Sequence, residues 1–247
     1  YRIAEDKNVC IPFMVCMDGF YVSHTVQTVL TEDDDTVSNF VGRYEPNNLY
    51  LNIDDPMFIN DLTSAEEYTE MRFQQRQNFE NAKEVMADVF KAFNDTFDRE
   101  YTLTEAYHCE ESDAVLVCLG SACGTIKHMV GELRAEGKKV GLLKITSYRP
   151  FPSDEVKEKL KGIKNIGVID RSSGLGASFG PLGLDVYQSV ERDNELNIVN
   201  YIAGLGGRDI SEATIRKMYN ILLDDTHRNE QVWVDVREDA LRLRIKK

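Results

Sequence analysis

The chain has 247 residues, 42% of them hydrophobic, which is enough to build one large domain, or one domain with appendages, around a real core. Its formal net charge of -13 and pI near 4.8 argue against nucleic acid and anionic membrane as partners, because phosphate binding draws on clustered Lys and Arg. No stretch approaches the roughly 20 apolar residues of a membrane-spanning helix, and no basic-then-apolar leader opens the chain, so a cytoplasmic protein is expected.

The chain opens at Tyr1, not Met, and enters an apolar run almost at once, the pattern expected of a fragment or trimmed subunit. Residues 9–17 place Val, Ile, Phe, Met and Cys around Pro12; the run is too short for a helical pattern and predicts a buried strand that breaks at Asp18-Gly19. Residues 31–61 are rich in Asp, Asn, Pro and Gly without sustained periodicity, which predicts a surface linker. The run Glu32-Asp33-Asp34-Asp35 reads as a solvated loop within it.

Ser64 followed by Glu67 is a capping-box pattern, and Tyr68, Met71, Phe79, Ala82, Val85, Met86, Val89, Phe90 and Phe93 then recur at helical spacing. One long helix is predicted, with Gln77 as the place where a break would fall. Its apolar stripe reads as packing against a neighbouring domain. After Asp113, short apolar runs at 114–119, 140–145, 166–169 and 196–202 alternate with amphipathic stretches at 125–136, 154–160 and 182–190. Strands buried on both faces read as continuous apolar runs, and helical crossovers join parallel strands; an α/β domain with a parallel sheet flanked by helices follows.

Few residues carry chemistry. Cys10, Cys16, Cys109, Cys118 and Cys123 form no CxxC pair, and His24, His108, His128 and His227 form no HxxxH pair, so reduced thiols and no metal site are expected. Gly120-Ser121-Ala122-Cys123-Gly124-Thr125 lies where a strand ends and a helix begins, a place where backbone N–H groups hold phosphates. It lacks the GxGxxG spacing, the Walker Lys and an acidic ribose partner, and reads first as a tight turn. Gly174-Leu-Gly176 and Gly180-Pro-Leu-Gly183 follow the strand ending at Asp170 and read as helix-start geometry, with approach to a ligand or another subunit as the other reading. Asp170-Arg171 would bind or pair locally. Cys123, at a helix start, would be activated only beside a base, and none is evident.

Tyr148-Arg-Pro-Phe-Pro152, between a strand and a helix, resembles the transketolase C-terminal domain of thiamine diphosphate enzymes; its prolines favour an extended exit. Val115-Leu-Val-Cys-Leu-Gly-Ser-Ala-Cys-Gly-Thr125, Gly141-Leu-Leu-Lys144 and Gly204-Leu-Gly-Gly-Arg-Asp209 resemble the alpha subunit of the pyruvate:ferredoxin oxidoreductase (pyruvate synthase) family. So do Phe13-Met-Val-Cys-Met-Asp-Gly-Phe-Tyr-Val-Ser-His-Thr25 and Asn52-Ile-Asp-Asp-Pro-Met57. The resemblance implies residues 1–30 as the end of a pyrimidine-binding-type domain, 31–104 as linker and long helix, 105–224 as a transketolase C-terminal-like domain, and 225–247 as a tail holding a terminal strand near 232–236. It implies an enzyme that decarboxylates pyruvate on thiamine diphosphate with Mg²⁺, passes electrons through [4Fe-4S] clusters to ferredoxin, and forms acetyl-coenzyme A reversibly. The family's substrate-holding Thr and Arg and its cofactor-activating Glu would lie upstream of Tyr1, and the diphosphate and cluster ligands in other domains or subunits. No catalytic, cofactor-binding or metal-binding residue is therefore assigned to this chain, whose role would be structure and assembly with the other subunits. The rival readings are the same role for 2-oxoglutarate or a branched-chain 2-oxo acid, a free-standing nucleotide-binding module, and a pure interaction domain.

Overall fold

The computed structural model describes residues 1–46, 50–191 and 195–241. The chain divides into two compact units, Tyr1–Leu103 and Thr104–Lys247.

The first unit is helical. It contains a short turn of helix, α1 (Tyr21–His24), then α2 (Asp34–Val41) and the 30-residue α3 (Tyr68–Phe97). The predicted strand at residues 9–17 is absent: among the described residues this unit has no strand, and residues 11–17 are irregular, without a backbone hydrogen bond. Met14 is 83% and Val15 90% exposed. A strand needs a hydrogen-bonding neighbour, and nothing in this unit supplies one.

The expected featureless linker at 31–61 is also corrected. Asp33 accepts from the Thr36 backbone N–H at 2.9 Å and Thr36 Oγ1 at 3.0 Å, capping α2, while Asp34 and Asp35 occupy the first turn. The acidic run is thus the N-terminus of a helix, where carboxylates complement the unpaired N–H groups. The two hydrogen bonds from Thr36 hold the Asp33 carboxyl below its ordinary range.

In α3 the helix runs through Gln77 unbroken. Ser64 Oγ donates to Glu67 Oε2 at 3.2 Å one turn before the helix, so the Ser64/Glu67 pattern marks the entry although Glu67 itself is the cap residue. Met86 packs with Ile3 and Leu103 in a small core. Towards its end, Phe93 and Phe97 meet at 4.7 Å between centroids, and Phe40 of α2 lies edge-on to both at 5.6 and 5.3 Å. These aromatic contacts seat α2 on α3.

In the second unit, six strands form one sheet in the order β1-β3-β2-β4-β5-β6: β1 (Thr104–Tyr107), β2 (Ala114–Leu119), β3 (Val140–Ile145), β4 (Asn165–Asp170), β5 (Asn197–Ile202) and β6 (Gln231–Trp233). The helices are α4 (Ala122–Ala135), α5 (Ser153–Lys159), α6 (Pro181–Ser189) and α7 (Glu212–Leu223). The parallel register sets Val115 beside Gly141 and Ile166, and Ile166 beside Ile198.

Period-two alternation divides each strand between two cores. Leu116 and Cys118 face the layer containing Ile126 and Leu133 of α4 and Ile215, Met218 and Leu222 of α7. Val115 and Val117 face Val156 of α5 and Leu182 and Val186 of α6. This two-sided burial is what continuous apolar runs require.

Three features go beyond the sequence expectation. β1 pairs antiparallel with β3, so the sheet is mixed at one edge. There Glu105 bridges Lys144 at 3.1 Å and Lys127 at 3.3 Å, which pulls its carboxyl pKa down. α7 was not anticipated, although Ser211 caps it and Thr214, Ile215, Met218, Tyr219 and Leu222 form its buried stripe. The terminal strand expected near 232–236 is present as Gln231–Trp233, and it joins the sheet beside β5, a pairing that the expectation of a tail did not include.

Candidate functional site

The parallel strands run in the order β3-β2-β4-β5-β6, so the chain leaves β2 towards one side of the sheet and β4 lies on the other. In open α/β sheets, ligands favour the crevice outside the strand carboxyl ends where that direction reverses. Here it is bordered by the turn after Leu119 and the loop after Asp170, the two glycine-rich segments singled out from sequence.

At the first, Gly120 takes φ +71°, in the left-handed region that favours glycine. The first free N–H groups of α4 are used at once: Cys123 N donates to Gly120 O at 3.2 Å and Gly124 N to Ser121 O at 3.0 Å. The turn bonds itself, as a tight strand-to-helix connection does.

At the second, Asp170 is 5% exposed, yet its carboxylate is fully engaged. Oδ1 accepts from Leu182 N at 3.0 Å; Oδ2 accepts from Gly183 N at 2.9 Å and Asn200 Nδ2 at 2.8 Å. Pro181, at the first helical position, has no N–H, and Leu184 N bonds to Gly180 O at 3.0 Å. Every donor of the first turn of α6 is therefore satisfied by the protein. Asn200 closes the network by accepting from Gly180 N at 2.7 Å and donating to Val168 O at 3.2 Å. A Cβ at Gly180 would stand 2.4 Å from the Asp170 carboxyl, so only glycine fits beside it.

The Tyr148–Pro152 segment lies on the same end of the sheet and leads into α5 at Ser153. Arg149 pairs with Asp185 of α6 at 2.9 Å and places its guanidinium 3.9 Å over the Tyr148 ring. Burial, more than its neighbours, raises the Tyr148 hydroxyl pKa. The Arg serves to tie this loop to α6.

Cys123 is buried, and so is Cys118 near the end of β2. The hydrogen-bonded Cys123 thiol and then burial hold Cys118 protonated well above the ordinary thiol range. Burial pushes Cys109 from 9.0 to about 11. None of these has the electropositive, open surroundings of a reactive thiol. Among the described residues, no three His, Cys, Asp or Glu side chains converge as metal ligands do. The described residues therefore offer no ligand set of the kind that holds an iron–sulfur cluster.

A thiol-labelling experiment checks this arrangement. Exposed Cys10 and Cys16 should react with a disulfide reagent within seconds at pH 8, and Cys109, Cys118 and Cys123 only after unfolding. The raised Cys109 pKa also sets a pH window: the thiol stays neutral in the native state while the unfolded chain ionises. Its contribution is thus intact below pH 9 and is lost as pH rises towards about 11.

The sequence marked Asp170 and Gly180 but missed Asn200, the residue that joins them. The signal was an Asn inside the otherwise apolar run Ile198-Val-Asn-Tyr-Ile202, since a polar side chain at the centre of a buried strand must find partners.

Two family models match: "Pyruvate flavodoxin/ferredoxin oxidoreductase, thiamine diP-bdg" over residues 1–91, and "Pyruvate:ferredoxin oxidoreductase core domain II" over residues 112–215. The pyruvate synthase subunit PorA of Methanocaldococcus jannaschii is 41% identical over 240 residues, covering 96% of this chain and 61% of the relative. That of Thermotoga maritima is 37% identical over 241 residues, with 96% and 61% covered. The ketoisovalerate oxidoreductase subunit VorA of Pyrococcus abyssi is 32% identical over 218 residues, covering 87% of this chain and 54% of that one. The chain thus spans about three fifths of the length of the pyruvate synthase relatives it matches.

Proposed function

The chain belongs to the pyruvate:ferredoxin oxidoreductase family, and from that premise we propose that it is the structural and assembly part of the alpha subunit of such an enzyme. The assembled enzyme converts pyruvate, coenzyme A and oxidised ferredoxin reversibly to acetyl-coenzyme A, CO₂ and reduced ferredoxin. Thiamine diphosphate with Mg²⁺ supplies the decarboxylation chemistry and [4Fe-4S] clusters the electron path, held by other domains or subunits. Thiamine diphosphate is supported by the description of the model matching residues 1–91.

The observation that carries an assembly role is the closed hydrogen-bond network at the switch point. Asp170, Asn200 and the first turn of α6 satisfy one another and leave no donor for a phosphate. What this chain's residues do there is hold loops in place. The turn after Leu119, on which a free-standing nucleotide-binding module would rest, spends the Cys123 and Gly124 N–H groups on its own carbonyls, which weighs against that reading.

Residues 1–30 would complete a pyrimidine-binding-type domain, 31–104 connect it, and 105–224 form the transketolase C-terminal-like domain. The solvent-facing apolar side chains of Met14, Val15 and Val26 support the first of these assignments, since a segment of that kind is built to be covered. Buried, unbridged Cys109, Cys118 and Cys123 suit the reducing cytoplasm. The chain's described helices include none long and apolar enough to cross a membrane.

A second reading keeps the role and changes the 2-oxo acid to a branched-chain one, favoured by the 32% identity to the ketoisovalerate oxidoreductase subunit.

The test is a coupled assay of the purified chain with pyruvate, ferredoxin, thiamine diphosphate, Mg²⁺ and coenzyme A. No turnover is expected from the chain alone, and turnover once the remaining polypeptides of the enzyme are supplied. Activity that stays with the isolated chain removes the assembly reading. In the completed enzyme, comparing pyruvate with 3-methyl-2-oxobutanoate decides between the two substrates.

A further inference from the structure

At the carboxyl ends of β5 and β6 lies a groove of about 280 Å³. Ile202, Leu205, Trp233, Val236 and Leu241 give it an apolar floor, and Arg208 and Arg237 stand at its rim. Trp233 is 47% exposed, leaving much of its indole open. The adjoining loop carries Gly204, Gly206 and Gly207, all at positive φ; nothing stands within 4 Å of where a Cβ would be at Gly206 or Gly207.

In a chain of net charge -13, two guanidinium groups beside one apolar groove are a local exception. Arg208 is partly engaged, donating to the Asp235 carbonyl. Asp235, the acid of the lining, directs its carboxylate to Thr214 Oγ1 at 3.3 Å. Arg237 has no acceptor among the described residues, so its fork is open to a carboxylate.

We propose that this groove binds a small organic monocarboxylate with a branched or aromatic apolar end: the apolar part lies on Trp233 and Leu205, and the carboxylate meets Arg237. Size selects this occupant. The volume sits at the lower edge of small-molecule sites, and a stable protein interface would take about 800 Å² from each partner. One open guanidinium matches one negative charge. The proposed ligand contacts none of the side chains of the Asp170–Asn200 network, and the inference does not depend on the role proposed above.

The chain contains a single tryptophan, so its fluorescence reports on this groove directly. Titrating the whole chain with 3-methylbutanoate and with phenylacetate should give a saturable change with half-saturation of about 1 mM, the range expected of so few ligand atoms. The neutral amides of the same acids should bind at least about tenfold more weakly, because the charge-assisted bond is lost. Arg237→Gln should weaken the acids about tenfold and leave the amides unchanged, with Arg237→Lys recovering part of the loss. A linear response without saturation, equal binding of acid and amide, or an Arg237→Gln variant that binds the acids normally overturns the proposal. So does a response to the dipeptide acetyl-Asp-Leu-amide but to neither free acid, which would make the groove a polypeptide site.

Discussion

Asp170→Ala should destabilise the sheet unit by about 3–5 kcal/mol, the largest loss expected of any single polar substitution here. The substitution leaves Leu182 N, Gly183 N and Asn200 Nδ2 buried without their acceptor, and each such group costs about 1–3 kcal/mol. The sum is held below the arithmetic maximum because a water entering the vacated space would recover part of it. In a unit of this size the midpoint of thermal unfolding should fall by about 10 °C. Urea unfolding should show a lower midpoint with an unchanged slope, the sign of lost stability and not of an altered unfolded state. Asp170→Asn keeps one oxygen for a backbone N–H and should lose less. A change below about 1 kcal/mol in Asp170→Ala would mean that the network does not hold the β4–α6 junction, and the structural role assigned to this end of the sheet would fall with it.

Hydrogen exchange should separate two parts of the chain by at least about a thousandfold in rate. The amides of Val115, Leu116 and Val117 in β2 and of Ile166, Val168 and Ile169 in β4 lie in a doubly covered parallel ladder and open only with the whole unit. Residues 11–17 make no backbone hydrogen bond among the described residues, and their side chains lie mostly in solvent, so they should exchange near the rate of an unstructured peptide. If this segment completes a domain of the assembled enzyme, its amides should become protected once the remaining polypeptides are bound, while β2 changes little. Equal protection of both regions in a demonstrated monomer would show that residues 9–17 find all their partners within this chain.

The contrast between these segments shows how far local pattern reaches. Residues 9–17, with Val, Cys, Ile, Phe and Met around Pro12, and Ala114–Leu119, with Ala, Val, Leu and Cys, are both short apolar runs, and period and composition predict a buried strand for each. Only the second has neighbours: β3 and β4 pair on either side of it. The mixed edge has the same cause, since Thr104–Tyr107 meets β3 through Thr104 opposite Ile145, a partner 41 residues away that local pattern does not reveal.

Helix period, the apolar stripe of α3, the two-faced burial of β2 to β5 and the glycine turns after Leu119 and Asp170 were all legible in the chain, because each follows from propensity and spacing over a few residues. The family motifs were legible for the same reason. Strand order, the antiparallel direction of β1, the joining of Asp170 to Asn200 across 30 residues and the meeting of Trp233 with Leu205 and Arg237 in one groove were decided by packing. These depend on which distant segments exclude water from one another, and a buried carboxylate or an open guanidinium acquires its meaning only from the groups that folding brings beside it.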